Sequence, residues 1–312
     1  MSSSPIARRL QRAFDADTRL GLALLAPAAL IIGFVLLVPI ATALFMAFNS
    51  INLQRSPNWT FNGLNNFALI GRDDLALAAI PRSIYFASLT VVLVIVASVG
   101  VAIVLNEPFR GRRLVRLLAL IPWSVAPLAA GSTWYLLFYY SYGGINAVLY
   151  ALGIIPEYIS WLTDATLAIN AAVIGQVWLS IPLASLLILA RLQGIPGMLY
   201  KAAMVDGATA FQRFRYITLP GLRTTLLIVI LITTIISLQT FDLIFALTRG
   251  GPALGTVVLN YAIYQRAFVD LRIGYAASLA LILFGIVLIA SLAVLILTRQ
   301  RRQAQAYVAV TE

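Results

Sequence analysis

Apolar residues along this chain gather into long uncharged runs, not into the alternating faces that a water-exposed helix would show. A hydrocarbon layer about 30 Å thick is crossed by roughly 20 residues of helix. Six runs reach that length: Leu20–Phe48, Ser83–Leu105, Leu114–Tyr139, Ala165–Ala190, Thr224–Leu247 and Ile273–Thr298. The pattern predicts an all-α, polytopic membrane protein with six transmembrane helices over 20–298, a leader over 1–19 and a tail over 299–312. The first run is long and is followed by further spans, so a retained helix is expected despite the small residues at Ala26–Pro27–Ala28. The leader mixes Ser, Arg and Asp and reads as a positive anchor or an interfacial amphipathic segment.

Charge orients these spans. The N-terminus, the second-to-third link, the fourth-to-fifth link and the tail together carry 16 of the 22 basic residues, and the alternate links carry six. Lys and Arg resist translocation, so both termini are expected in the cytoplasm. Of the 312 residues, 61% are apolar and 11% charged, where soluble domains carry roughly 25% charge. The net charge of +11 reflects arginine clusters between apolar runs, which fits anchoring on lipid and not nucleic-acid binding. Two outer links, Asn49–Arg82 and Tyr140–Asp164, are long enough to carry structure of their own, with Trp59, Tyr158 and Trp161 as interfacial anchors or as part of a surface for an outside partner.

The absence of Cys and His excludes disulfides, thiolate nucleophiles, zinc sites and imidazole bases. Lys201 is the single lysine, between Tyr200 and Ala202. A phosphate-binding P-loop needs a lysine after its glycines, so this chain cannot build one.

The cytoplasmic segment Pro196–Pro220 predicts a short helix starting at Pro196, an interruption at Asp206–Gly207, and a second helix capped by Asp206 and ended by Pro220. Phe211, Phe214 and Ile217 recur along the second helix as a ridge that suits either a groove on a partner protein or the lipid headgroups. Ala202–Ala203, Asp206–Gly207–Ala208, Phe214, Ile217 and Leu219–Pro220 resemble the coupling loop, or EAA loop, of ATP-binding-cassette importer permeases of the carbohydrate and glycerol-phosphate uptake family. Phe241–Asp242, Leu247–Thr248, Gly250–Gly251–Pro252, Tyr264, Phe268 and Gly274–Tyr275 extend the similarity toward the last helix, and it covers most of the chain from the first span onward. Lys201 departs from it, since the family usually has Glu there. Either the partner carries a compensating acid, or the position is an exposed edge of little weight.

The resemblance implies a type I ABC-importer permease in a bacterial inner membrane. It implies a second homologous permease, a dimer of ATP-binding-cassette ATPase subunits holding ATP and Mg, and an extracytoplasmic solute-binding protein. It further implies that the loop at 196–220 seats in the ATPase and carries its closure to the membrane helices, with this chain catalysing nothing and binding no cofactor or metal.

A pathway through the bundle needs polar side chains. Thr233, Ser237 and Thr240 share a face of the fifth run with Gln239 beside them, while Gln176 and Ser180 are four apart in the fourth, next to Trp178 and Pro182. Hydroxyls and amides beside an aromatic surface suit a sugar or polyol, and the resemblance adds Trp123 as well as weight to Gln176, Ser180, Thr233, Ser237 and Thr240. Each Ser or Thr also has an alternative role in bonding its own backbone or packing helix to helix. Asp242, the acidic residue within a run, reads either as paired or snorkelling near Arg249, or as a proton-coupling site. The competing functional classes are a secondary carrier relying on Asp242, a serine-based membrane enzyme and a membrane scaffold.

Overall fold

The computed structural model describes the backbone of residues 5–54 and 56–311, and side-chain surroundings for 20–54 and 59–297. Helix α1 (Pro5–Ala47) leads into a hairpin of β1 (Asn49–Asn52) and β2 (Ser56–Phe61), followed by α2 (Asn65–Ile70) and α3 (Asp74–Asn106). Three short helices, α4 (Arg112–Leu118), α5 (Ile121–Ser124) and α6 (Pro127–Phe138), precede α7 (Gly144–Ala151) and the long α8 (Ala165–Gln193). Then come α9 (Gly197–Val205), α10 (Ala210–Arg213), α11 (Leu219–Leu238), α12 (Asp242–Leu247), α13 (Leu259–Tyr264) and α14 (Ile273–Thr311).

Among the described residues five helices are long and apolar enough to cross a membrane: Leu20–Ala47, Asp74–Asn106, Ala165–Gln193, Ala210–Leu238 and Ile273–Leu297. A sixth crossing requires α4–α5 and α6 to act as one broken span, bent by 96°. The continuous third span expected over Leu114–Tyr139 is thus corrected. Pro127 disfavours helical geometry at Ala126, and both Val125 and Ala126 are extended, which turns the chain between α5 and α6.

The fifth span is also corrected. Its helix ends at Leu238, and Asp242–Leu247 is a separate helix. At this break Asn260 Nδ2 donates to the Gln239 carbonyl at 2.6 Å, and the Thr240 hydroxyl, which shares its one proton between the Ile236 carbonyl and Gln176 Oε1, lies 3.0 Å from each. Side chains therefore satisfy carbonyls that the interrupted ladder leaves open. Asp242 consequently starts a helix of its own, exposed, and the ion pairs among the described residues do not include Asp242 or Arg249.

Helix α8 is the central post: 56% of its spanning window is buried, against none of the α1 window. Small residues on α8, among them Ala171, Ala172, Gly175 and Ala184, let neighbouring helices approach closely. One apolar cluster joins Phe86 of α3 and Val173 of α8 to Leu243, Ile244 and Leu279, and a second joins Val94, Ile188, Leu222 and Val229. Where α6 crosses α12, Gly131 is needed for the close approach, because a Cβ there would lie 2.7 Å from Ala246 Cβ and 2.8 Å from the Leu243 carbonyl oxygen.

The two long links over 49–82 and 140–164 both carry structure, as expected. In the first, β1 and β2 pair antiparallel with Asn49 opposite Phe61 and Ser50 opposite Thr60, a small sheet in an otherwise helical fold. In the second, buried Asn146 donates to the Tyr140 and Ile159 carbonyls and accepts from Ile159 N–H and Trp161 Nε1. Asp73 caps α3 through Leu75 N–H, and Arg266 Nη2 donates to Asp73 Oδ1 at 2.6 Å while Tyr275 donates to Oδ2 at 2.7 Å. Burial pushes the Asp73 carboxyl up, but the hydrogen bonds from Arg266 and Tyr275 and the Arg266 charge outweigh it and hold its pKa below the ordinary 3.8. In backbone, the leader and tail continue α1 and α14 over 5–19 and 298–311. The expected anchoring character of their side chains lies outside the described residues, as does Arg55.

Candidate functional site

Two places gather the residues singled out by sequence. The first is a cleft of about 190 Å³ between the α5–α6 turn, α8 and α11. Trp123, Gln176, Ser180 and Thr233 all line it, with Val125, Pro127, Leu179 and Ile236 supplying apolar wall. Trp123 reaches it from α5, just ahead of the extended turn at Val125–Ala126.

Gln176 organises the polar edge. Its Nε2 donates to Ser180 Oγ at 3.3 Å, and its Oε1 accepts from the Thr240 hydroxyl at 3.0 Å, so the break after α11 is tied to the middle of α8. Ser180 also donates to the Gln176 carbonyl at 2.8 Å, which makes it partly a backbone-bonded serine. Thr240 and Ser237 are buried but stand outside the lining, and the Ser237 hydroxyl is buried without a hydrogen-bond partner. Gln239 is exposed and also lies outside the cleft. No charged side chain lines the cleft, so it is a mixed amide, hydroxyl and indole surface on aliphatic walls.

The second place is the helix pair at 197–218. Helix α9 follows Pro196, ends at Asp206, and turns through Gly207, whose φ of 76° is the left-handed region that favours glycine. The next helix is capped by Thr209, not by Asp206. Thr209 Oγ1 accepts from Gln212 N–H while Gln212 Oε1 accepts from Thr209 N–H, a capping box that shifts the start three residues on.

Pro220 does not end the segment, which is a further correction. It sits in the first turn of α11, and α10 runs into α11 through a π-helical turn over Phe214–Thr218. Proline lacks an N–H and crowds the preceding turn, and a widened turn accommodates both effects inside a continuous helix.

The expected ridge of Phe211, Phe214 and Ile217 is only partly exposed. Phe211 is 74% exposed, whereas Phe214 and Ile217 are half-buried, Ile217 beside Ile195 and Leu199. The π turn rotates these side chains out of simple helical register. The apolar surface instead comprises Met198, Met204, Val205, Phe211 and Tyr216, with Val205 88% exposed. Sequence reasoning passed over Met198, Val205 and Tyr216, whose signal was large apolar residues in a link outside every span. Lys201, Ala202, Asp206 and Gly207 are exposed, Ala203 and Ala208 half-buried. Lys201 makes no ion pair among the described residues.

Hydrogen bonds brace this region: one joins α9 to the π turn, one joins α8 to α11, and one closes the turn within the pair. Tyr200 Oη lies 2.9 Å from Thr218 Oγ1 at the π turn, Arg191 Nε donates to the Gly221 carbonyl at 2.9 Å, and Arg213 Nη1 donates to the Ala208 carbonyl at 2.9 Å. Leu219 is half-buried and Pro220 exposed at the start of α11.

Comparison with known proteins bears on both places. The chain is 34% identical over 270 residues to the sulfoquinovosyl glycerol transport system permease protein of Agrobacterium fabrum, covering 86% of this chain and 87% of that protein. It is also 34% identical to the trehalose/maltose transport system permease protein of Thermococcus litoralis, over 78% of this chain and 82% of that one. In fold it resembles a subunit of a bacterial ABC transporter involved in the import of the acidic polysaccharide alginate, at 22% identity and a TM-score of 0.76, over 94% of this chain and 99% of that chain. The profile of the binding-protein-dependent transport system inner membrane component family matches residues 94–303. On that match, and on relatives of similar length that are ABC transport permeases, this chain belongs to the family of binding-protein-dependent transport system inner membrane components.

Proposed function

We propose that this chain is one of two permease subunits that together form the pathway of an ATP-driven importer for a neutral sugar or polyol. The observation that carries the reading is the cleft at Trp123, Gln176, Ser180 and Thr233, whose amide and hydroxyls match sugar hydroxyls while the indole covers a C–H face. Its uncharged lining favours a neutral solute, and the trehalose/maltose permease among the relatives transports sugars of that class. Ser237 and Thr240 stand behind the lining and join it when α8 and α11 part.

ATP and Mg bind a separate ATPase dimer that receives the exposed surface of α9 and α10. Closure of that dimer moves α9; the Tyr200–Thr218 contact passes the movement to the π turn ahead of α11, and the Arg191–Gly221 bond links α11 to α8. A solute-binding protein delivers substrate at the outer face. Purification of this chain from its native membrane tests the assembly: an ATPase and a second permease copurify, and a solitary chain that transports overturns the reading.

A further inference from the structure

At the start of α11 a second groove, separate from the cleft, collects two arginines that no other group of this chain engages. It measures about 390 Å³ and is lined by Arg215 of the π turn and by Leu219, Pro220, Arg223, Leu226 and Leu227 of α11. Both arginines are exposed, and neither guanidinium donates a hydrogen bond or pairs with an acid among the described residues. Arg116, Arg191 and Arg213, by contrast, each donate to a carbonyl.

Depth decides what such a groove can hold. The Arg191–Gly221 bond sets the start of α11 level with the last turn of α8, so Arg223 lies where two spans end, and Arg215 lies about two turns beyond it. Leu226 and Leu227 lie one turn deeper, on the uncharged stretch that continues to Leu238. Cations at the edge of the hydrocarbon, with an aliphatic wall running inward from them, match an amphipathic anion: a phosphate at headgroup level and an acyl chain below it. A soluble subunit docked on α9 and α10 reaches the arginines but not the leucines, and a small polar anion leaves the leucines uncovered. The links at this end of the bundle carry the arginine clusters, the charge pattern of the leaflet that faces the cytoplasm, where anionic lipids are enriched.

We propose that Arg215, Arg223 and the wall of Leu219, Leu226 and Leu227 bind the phosphate and upper acyl chain of one anionic phospholipid. The site goes beyond the importer function above and does not depend on which solute is carried. Its occupant touches both the π turn and α11, and so braces the junction between the helix pair at 197–218 and the span that follows.

The test uses the assembled complex, purified in mild detergent and titrated with phosphatidylglycerol, phosphatidylcholine or glycerol 3-phosphate, with the first ligand bound read by native mass spectrometry. Phosphatidylglycerol binds, phosphatidylcholine binds about tenfold more weakly because its choline cancels the charge, and glycerol 3-phosphate, which lacks chains, does not bind over the same range. Arg215→Gln and Arg223→Gln each weaken phosphatidylglycerol binding roughly fivefold, and together about 25-fold. Arg112→Gln, an exposed arginine outside the groove, leaves it unchanged. Wild-type affinity in the double variant overturns the site, and so does an equal loss in Arg112→Gln, which would mark a diffuse attraction. Glycerol 3-phosphate binding as tightly as the lipid would make this a free-phosphate site. A complex that takes up no phosphatidylglycerol would show a partner subunit filling the groove, and either result also overturns the proposal.

Discussion

The Thr240 hydroxyl donates to Gln176 Oε1 at 3.0 Å, joining the break after α11 to the middle of α8 across 64 residues of sequence. Thr240→Val keeps the shape and removes the donor, leaving the buried Gln176 oxygen unpaired at a cost of about 1–3 kcal/mol. Uptake by the assembled importer is expected to fall roughly tenfold. The double variant with Gln176→Leu should be no worse than the poorer single change, since both delete one interaction. Additive losses would show that the two residues act separately.

Tyr200→Phe removes the hydroxyl contact to Thr218 at the π turn while keeping the ring. The expected phenotype is uncoupling: ATP hydrolysis persists and solute moved per ATP drops severalfold. An unchanged ratio would mean that α9 drives the bundle through other contacts. Lys201 stands exposed without an ion pair among the described residues, so Lys201→Glu should leave uptake within about twofold. A large loss would place an acid opposite it on the ATPase.

At the start of α3, Asp73 is held by Arg266 and Tyr275, with a carboxyl whose pKa lies below its ordinary value. A depressed folded-state pKa contributes stability that is complete above the unfolded value, near 3.9, and is lost as pH falls through the folded value. Thermal unfolding in detergent should therefore show a wild-type advantage over Asp73→Asn at neutral pH. That advantage should shrink as the pH drops below about 4. An advantage that grows on acidification contradicts the pairing.

Gly131 meets α12 at a distance that admits no side chain. Gly131→Val should destabilise the bundle by about 1–3 kcal/mol through overpacking, or push α12 away from α6. Melting temperature and yield of folded protein both register this. By contrast, Asp242→Asn is expected to transport normally and without dependence on an imposed pH gradient, because Asp242 is exposed at the start of α12.

Membrane crossing was legible because it depends on summed hydrophobicity, and the end of α1, both ends of α8 and the start of α14 follow the apolar runs closely. The breaks were less visible. Pro127 announces a bend, but its angle depends on how α6 packs against α12, which no local pattern encodes. The interruption at Gln239–Phe241 falls inside an apolar run and exists because Asn260 and Thr240 take up the freed carbonyls. The cap at Thr209 was hidden by the more obvious Asp206. The hydroxyl and amide periodicities at Gln176, Ser180 and Thr233 did find the cleft, while Gln239, adjacent in sequence, fell on the other side of the helix break.

The most direct measurement is ATP-driven uptake of labelled trehalose and maltose into liposomes holding this chain, its partner permease and the ATPase, with binding protein outside. Wild type should accumulate sugar only when ATP reaches the ATPase side, and Phe211→Asp, placing a charge on the exposed docking face, should abolish accumulation. Uptake by liposomes lacking the ATPase, or undiminished ATP-driven uptake by Phe211→Asp, would contradict a pathway driven through residues 197–218.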